Sequence, residues 1–239
     1  MSVLTLVRHG QASYLADDYD RLSPLGEVQA RKLGEYWLRH NVGFDVAIHG
    51  PRERHVRTGA IIAGQFREAG RAWPEPAILE EFDEYPAMEV MKAFLPVLAA
   101  RHEQMRLAAE AFQRADGGPE RIHMADRLLQ EVTLRWVNGE IGSPEIESWE
   151  AFCERVRRGV GKVRALAPKS SRVVVFTSGG PMAASTRMAL ELSYRATLEL
   201  TWSPRNGSYA EFLFSGERFS LSSFNCHPHL DEPSLLTYR

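Results

Sequence analysis

The sequence predicts an α/β fold, a three-layer α/β/α sandwich around a mainly parallel sheet with a helical insertion over the functional site. Three observations carry this. Short apolar runs at Val3 to Val7, Phe44 to Ile48 and Arg172 to Phe176 have the length of strands buried on both faces. Stretches with helical spacing follow them, and the order strand, helix, strand, helix argues for a parallel sheet covered on both sides. From about Pro86 to Gly142 the pattern is helical with no strand signal.

The elements follow in order. After the first strand, residues 11 to 21 are polar and turn-like. Ser23-Pro24 reads as a helix cap followed by proline at the first helical position, and the helix runs to about Arg39 with Leu25, Ala30, Leu33, Trp37 and Leu38 as its buried stripe. The second strand ends at His49-Gly50-Pro51. A helix from about Arg52 to Phe66 turns Ala60, Ile61 and Ala63 inward, and after Trp73-Pro74-Glu75-Pro76 a short extended piece at Ala77 to Leu79 leads to the acidic cluster Glu80, Glu81, Asp83 and Glu84. In the insertion, Pro96 and Gly117-Gly118-Pro119 are expected breaks, and Ile122, Ala125, Leu129, Val132 and Trp136 share one helix side. Ser148 caps a helix whose buried face is Phe152, Val156, Val160 and Val163. The Val-rich strand then runs into Thr177-Ser178-Gly179-Gly180-Pro181, with a helix from about Met182 to Leu192. Thr197 to Trp202, Gly207 to Phe214 and Phe219 to Phe224 read as strands, the last two joined by a hairpin at Ser215-Gly216-Glu217.

The 239 residues, 44% of them hydrophobic, suffice for a single domain over 1–239 with 86–142 as a helical lid. A formal net charge of -2 gives no global reason to expect nucleic acid or an anionic membrane as partner, so any anion site is local. Two cysteines, Cys153 and Cys226, favour a reducing setting over a disulfide framework. The N-terminus lacks a signal-peptide pattern and no apolar run reaches membrane-spanning length; the expected location is cytoplasmic.

Three strand ends carry chemistry-bearing residues. Arg8, His9 and Gly10 follow the first strand, Arg54 lies just beyond the second, and Thr177 to Gly180 follow the Val-rich one. Ligands bind at the carboxyl ends of such strands. An imidazole can attack phosphorus, a guanidinium can clamp two phosphate oxygens, and a Gly-rich turn at a helix start exposes N–H groups to an anion. The same residues are also compatible with a strand ending at the surface and with a turn that needs glycine only for its backbone.

Taken together, these segments resemble the histidine phosphatase superfamily, the phosphoglycerate mutase-like group. Leu6-Val7-Arg8-His9-Gly10 is similar to its strand plus Arg-His-Gly motif; Leu22-Ser23-Pro24-Leu25-Gly26-Glu27-Val28-Gln29-Ala30 and Gly50-Pro51-Arg52-Glu53-Arg54-His55-Val56-Arg57-Thr58 are similar to its two helix starts. The resemblance implies a phosphomonoester hydrolase without cofactor or metal, acting on a small phosphorylated substrate. His9 would be the nucleophile, Arg8 and Arg54 the phosphoryl clamps and Glu81 the general acid, with Asp83 or Glu84 as alternatives; Gly10, Gln11, Ser178 and Gly179 would bind substrate. Arg57 is left as surface charge, because Arg54 has the motif's spacing to Thr58.

The chain departs from the pattern at Ser178, where the family usually carries a second histidine. A hydroxyl donates one hydrogen bond and carries no charge; losing one preorganised donor slows chemistry by roughly 100- to 1000-fold. A phosphate-binding protein with little turnover is therefore the alternative. Leu15 beyond Tyr14 replaces a polar residue of the family, a contact Ser13 would have to supply. His49 and His55 read as a strand end and a helix residue, His227 and His229 as surface or packing. Phe82, Tyr85 and Met88 are expected to wall the site, and the final strands offer an edge on which a homodimer is left open.

Overall fold

The computed structural model describes residues 1–12, 20–116 and 118–238; Ser13, Tyr14 and Leu15 lie outside them. The described elements are β1 (Ser2–Arg8), α1 (Pro24–Arg39), β2 (Val46–His49), α2 (Glu53–Glu68), β3 (Ala77–Ile78), α3 (Ala87–Arg101), α4 (Glu103–Arg114), α5 (Gly118–Val137), α6 (Trp149–Leu166), β4 (Arg172–Thr177), α7 (Gly179–Leu190), α8 (Tyr194–Thr201), β5 (Tyr209–Ser215) and β6 (Arg218–Cys226). They form two compact units, one of Met1–Glu84 with Cys153–Arg239 and one of Tyr85–Phe152. No described helix is long and apolar enough to cross a membrane.

The first unit holds a six-stranded sheet in the order β3-β2-β4-β1-β5-β6. The strands β3, β2, β4 and β1 are parallel, and β5 and β6 continue the sheet antiparallel. The Val-rich β4 lies between β2 and β1, which requires both of its faces to be apolar. Its pleat sends Val173 and Val175 to one side, with Leu4, Leu6 and Ile48 against Val160, Val163 and Met182 of α6 and α7. Val174 and Phe176 go to the other, against Leu33 and Trp37 of α1 and Ile62 and Phe66 of α2. Helices thus cover both faces, giving the three layers expected. The register pairs Arg8 with Thr177 and His49 with Phe176, so β1, β4 and β2 end at one edge and deliver their following residues to one place.

Several local expectations are corrected. Residues 194–201 are helical, not a strand: Ser193 caps α8 by accepting from the Ala196 N–H at 3.2 Å, and Thr197 turns its hydroxyl back to the Ser193 carbonyl at 2.8 Å. Local capping outweighs the strand preference of two threonines. Pro96 lies inside α3, and the break falls instead at His102, whose extended backbone separates α3 from α4. The buried seam of α5 runs through Leu128, Val132 and Trp136, leaving Ile122 exposed. The inward face of α2 is Arg54, His55, Thr58, Gly59, Ile62, Ala63 and Phe66 rather than Ala60 and Ile61. Its first turn faces a polar site, so an apolar count alone sets the face one position off.

In the second unit Tyr85 stacks on Trp136 at 6.1 Å between centroids and meets Trp149 edge-on at 5.4 Å. Tyr85 is therefore part of an aromatic core, while Met88 is exposed. Phe82, in the first unit, is wholly buried in the sheet core with Val160 and Val163, so it walls no site.

Candidate active site

His9 follows β1, its backbone N–H held by the Thr177 carbonyl at 2.9 Å and its carbonyl accepting from Gly207 N–H at 3.1 Å. The ring is buried. Its Nδ1 lies 2.6 Å from the Gly10 carbonyl, and its Nε2 lies 3.2 Å from the Nε–H of Arg54. A carbonyl only accepts and a guanidinium only donates, so the proton sits on Nδ1 and the lone pair on Nε2. Burial first, then the charges of Arg54, Arg8 and His55, hold its pKa well below the ordinary histidine value. The ring is therefore neutral at pH 7.

The backbone around His9 is close-packed for a stated reason. A Cβ on Gly10 would stand 2.2 Å from the Gly26 carbonyl oxygen, and one on Gly26 would stand 2.1 Å from that of Gln11. Two glycines thus let the loop lie on the start of α1, and Gly10 N–H donates to Thr58 at 3.2 Å. Gln11 supports this junction: its N–H donates to Gln29 at 2.8 Å and its side-chain oxygen accepts from Ser23, the α1 cap, at 2.9 Å.

Arg8 reaches the Pro204 carbonyl through Nη1, and a Cβ on Gly179 would stand 3.9 Å from Arg8 Nε, which places this cation beside the start of α7. Arg54, buried in the first turn of α2, donates to His9, to Asp20 at 2.6 Å through Nη1, and to Ser178 at 3.5 Å through Nη2. Asp20 also accepts from the Glu53 N–H at 2.9 Å, at the start of α2. Arg57 is on the surface, paired with Glu27 at 2.7 Å.

Ser178 occupies the cap position of α7 but its hydroxyl caps nothing. It lies 2.7 Å from Nε2 of His55 instead. That ring is wholly buried, its centroid is 5.7 Å from that of His9, and burial, then Arg54, Arg52 and His49, push its pKa well down.

The acidic cluster divides by partner. Glu81 is paired with Lys162 of α6 at 2.5 Å, which lowers its pKa. Asp83 is paired with Arg52 at 2.5 Å. Glu84 accepts from the N–H of Gly180, in the first turn of α7, at 3.3 Å. Arg155 fixes this loop by donating to the carbonyls of Glu80, Glu81 and Asp83 at 3.1 to 3.2 Å. The carboxylate brought to the α7 start is thus Glu84, and the Glu81 expected as the acid is engaged by a lysine. The structure brings together His9, Arg8, Arg54, Ser178 and Gly179, with Gly10 and Gln11 beneath them.

The family described as Histidine phosphatase superfamily (branch 1) matches residues 4–133 and 118–227. The chain belongs to the histidine phosphatase superfamily. No curated protein sequence matches this superfamily member. Among solved structures it is similar to a mutant phosphoserine phosphatase from Entamoeba histolytica in complex with phosphoserine, with 18% identity, 96% of this chain and 100% of that one covered, and a TM-score of 0.63. It is also similar to a mycobacterial glucosyl-3-phosphoglycerate phosphatase, with 18% identity over 94% and 98% of the two chains and a TM-score of 0.62. A phosphoglycerate mutase from Bacillus anthracis gives 15% identity over 96% and 95% and a TM-score of 0.64. At these identities the likeness establishes the shared fold.

Sequence reasoning missed His55 and Asp20 and preferred Glu81 to Glu84. A signal for His55 existed: in a helix entered at Arg54, it stands four residues before Gly59 and seven before Ile62, on the buried face.

Proposed function

We propose that this histidine phosphatase superfamily member hydrolyses phosphomonoesters through a phosphohistidine on His9. The observation that carries the reading is the tautomer of His9, whose Nε2 lone pair is directed toward Arg54 while Arg8 and the α7 start stand beside it. With substrate bound, Arg54 and Arg8 donate to the phosphoryl oxygens and release Nε2 for attack. The Nε2–P bond forms as the ester P–O bond breaks, and the leaving oxygen takes a proton from Glu84, in place of Glu81. Water then attacks the phosphohistidine, its proton passes to Glu84, the N–P bond breaks, and phosphate leaves with His9 neutral again. The two guanidinium groups neutralise charge that builds in each transition state.

The substrate class is a small phosphorylated molecule. The names of the similar structures, phosphatases and a mutase for phosphoserine, glucosyl-3-phosphoglycerate and phosphoglycerate, support that class. The chemistry assigned to these residues calls for no metal.

One feature of the sequence supports the competing reading, a phosphate-binding protein with little turnover: Ser178 stands where the resemblance to the superfamily implies a second histidine. Hydrolysis of para-nitrophenyl phosphate with chelator present decides between them. The proposal expects turnover that chelator leaves intact and that His9→Ala abolishes. Equal background in both proteins, with orthophosphate still bound, would establish the binding reading instead.

A further inference from the structure

A half-buried arginine of α6 grips the turn from which Glu84 reaches the site. Arg155 donates through Nη1 to the carbonyls of Glu80 and Glu81, each at 3.2 Å, and of Asp83 at 3.1 Å, and through Nη2 to the carbonyl of Glu84 at 3.4 Å. We propose that Arg155 is a positioning residue for proton transfer, which holds the main chain of residues 80–84 so that the Glu84 carboxylate stays at the start of α7. The inference rests on the phosphoryl-transfer reading above, in which Glu84 protonates the leaving oxygen, and adds the residue that keeps that acid in place.

Three observations carry it. The first is a face of α6 shaped to receive the turn. Arg155, Gly159 and Lys162 are spaced four and three residues apart, on one side of the helix. A Cβ on Gly159 would stand 2.7 Å from that of Glu81 and 3.3 Å from the Phe82 ring, so the glycine lets the turn lie directly on the helix. Lys162 takes the Glu81 side chain at 2.5 Å, and Arg155 takes the carbonyls.

The second is a fixed point on the other side. Thr177, the last residue of β4, donates its hydroxyl to the Phe82 carbonyl at 2.7 Å, and the chain passes from Thr177 straight into Ser178 and α7. The turn and the start of α7 thus share one anchor. The third is the backbone of Glu84 itself. Its N–H donates to the Asp83 carboxylate at 2.7 Å, Asp83 is held by Arg52 at 2.5 Å, and its carbonyl accepts from Arg155. With both peptide groups tied, the carboxylate meets the Gly180 N–H at 3.3 Å.

Residues 80–82 form a single 3-10 turn, whose own hydrogen bonds are poorly aligned. A guanidinium offers five N–H groups in one plane, so it can bind carbonyls on both sides of such a turn, and its charge strengthens each bond. Without it the main chain of residues 80–84 would relax and the carboxylate would spread over several positions. A proton donor displaced by about 1 Å loses up to about 100-fold in rate.

The experiment uses the full chain and two esters: β-glycerophosphate, whose alkoxide needs a proton to leave, and para-nitrophenyl phosphate, whose nitrophenolate does not. The readout is kcat/KM, which reports transfer to His9 and not the later hydrolysis, beside a thermal melt and the Kd of orthophosphate by calorimetry. Arg155→Met keeps the stem and removes the donors, and Arg155→Lys keeps the charge without the fork. Glu84→Gln, alone and combined with Arg155→Met, completes the set.

Arg155→Met is expected to lower kcat/KM for β-glycerophosphate by roughly 10- to 100-fold while para-nitrophenyl phosphate stays within about threefold and orthophosphate affinity is kept. Arg155→Lys should fall between it and the intact protein with the same preference between esters, and it carries the test should Arg155→Met not fold. The double variant should lose no more than Glu84→Gln alone, because no acid is left to position. Equal losses on the two esters, or none on either, overturn the proposal and leave the Glu84 assignment standing. Losses that multiply in the double variant overturn it too. A Glu84→Gln that treats the two esters alike overturns the acid assignment and this proposal with it, whereas intact protein that turns over neither ester overturns the phosphatase reading.

Discussion

Nε of Arg54 donates to Nε2 of His9 across 3.2 Å, so the lone pair that the proposed mechanism uses for attack is occupied by the guanidinium proposed to receive the phosphate. In that mechanism an approaching phosphoryl group takes over the donor and frees the lone pair in the same movement. A lysine cannot do both, because its ammonium lacks the planar fork that reaches His9, Asp20 and Ser178 together. Arg54→Lys should therefore lower kcat/KM by roughly 100- to 1000-fold with a folded protein, as read from steady-state kinetics beside a thermal melt.

Asp20 competes for the same guanidinium at 2.6 Å. Removing its charge should strengthen anion binding, since the pair is partly solvent-screened and worth up to about 1 kcal/mol. Asp20→Asn is expected to bind orthophosphate up to about fivefold more tightly by calorimetry. Weaker binding would show that Asp20 aligns Arg54 rather than competing for it.

Glu84, not Glu81, should behave as the acid. Glu84→Gln is expected to slow hydrolysis of alkyl phosphates by roughly 100-fold or more, and of nitrophenyl phosphate much less, because a nitrophenolate leaves without a proton. Glu81→Gln breaks a pair with a half-exposed lysine and should leave both rates within a few-fold of the intact protein.

Buried neutral histidines set the acid side of the stability curve. Burial lowers His49 and His229 to about 4. In the unfolded chain each protonates near 6.5, so the unfolded state binds more protons between those values and stability falls as pH drops below about 6.5. A shift of that size is worth about 2 kcal/mol per group at pH 5. Urea unfolding at pH 7 and pH 5 should show the loss, and His229→Gln should reduce it; an equal pH difference in that variant would contradict the assignment.

Gly10 and Gly26 meet backbone to backbone, with no flexible side chain to give way. Gly10→Ala should cost at least 1 to 3 kcal/mol of unfolding free energy by denaturant titration, and more activity than stability, because His9 is the preceding residue.

Much of the architecture was legible because burial on both sheet faces leaves a plain mark: Val173 to Phe176 admit nothing polar, and Ser23-Pro24 announces α1. The first strand end was legible too, since Arg8 and His9 are polar residues abutting an apolar run, while Arg54 was legible only through its motif spacing to Thr58. Residues 194–201 were misread because Thr197 and Thr201 have strand preference, while the capping bond that wins belongs to Ser193. The place of His55 beside Ser178 was not legible because that contact spans 123 residues of sequence. Glu81 and Glu84 carry the same chemistry, and only Lys162 on one side and the Gly180 N–H on the other tell them apart.

The most direct test of the central claim is mass spectrometry of the protein quenched in alkali during turnover of para-nitrophenyl phosphate. The account predicts a phosphoryl group on the peptide containing His9, present in Glu84→Gln and absent from His9→Ala. Turnover with no phosphoryl group on that peptide, or with one that persists in His9→Ala, would contradict it.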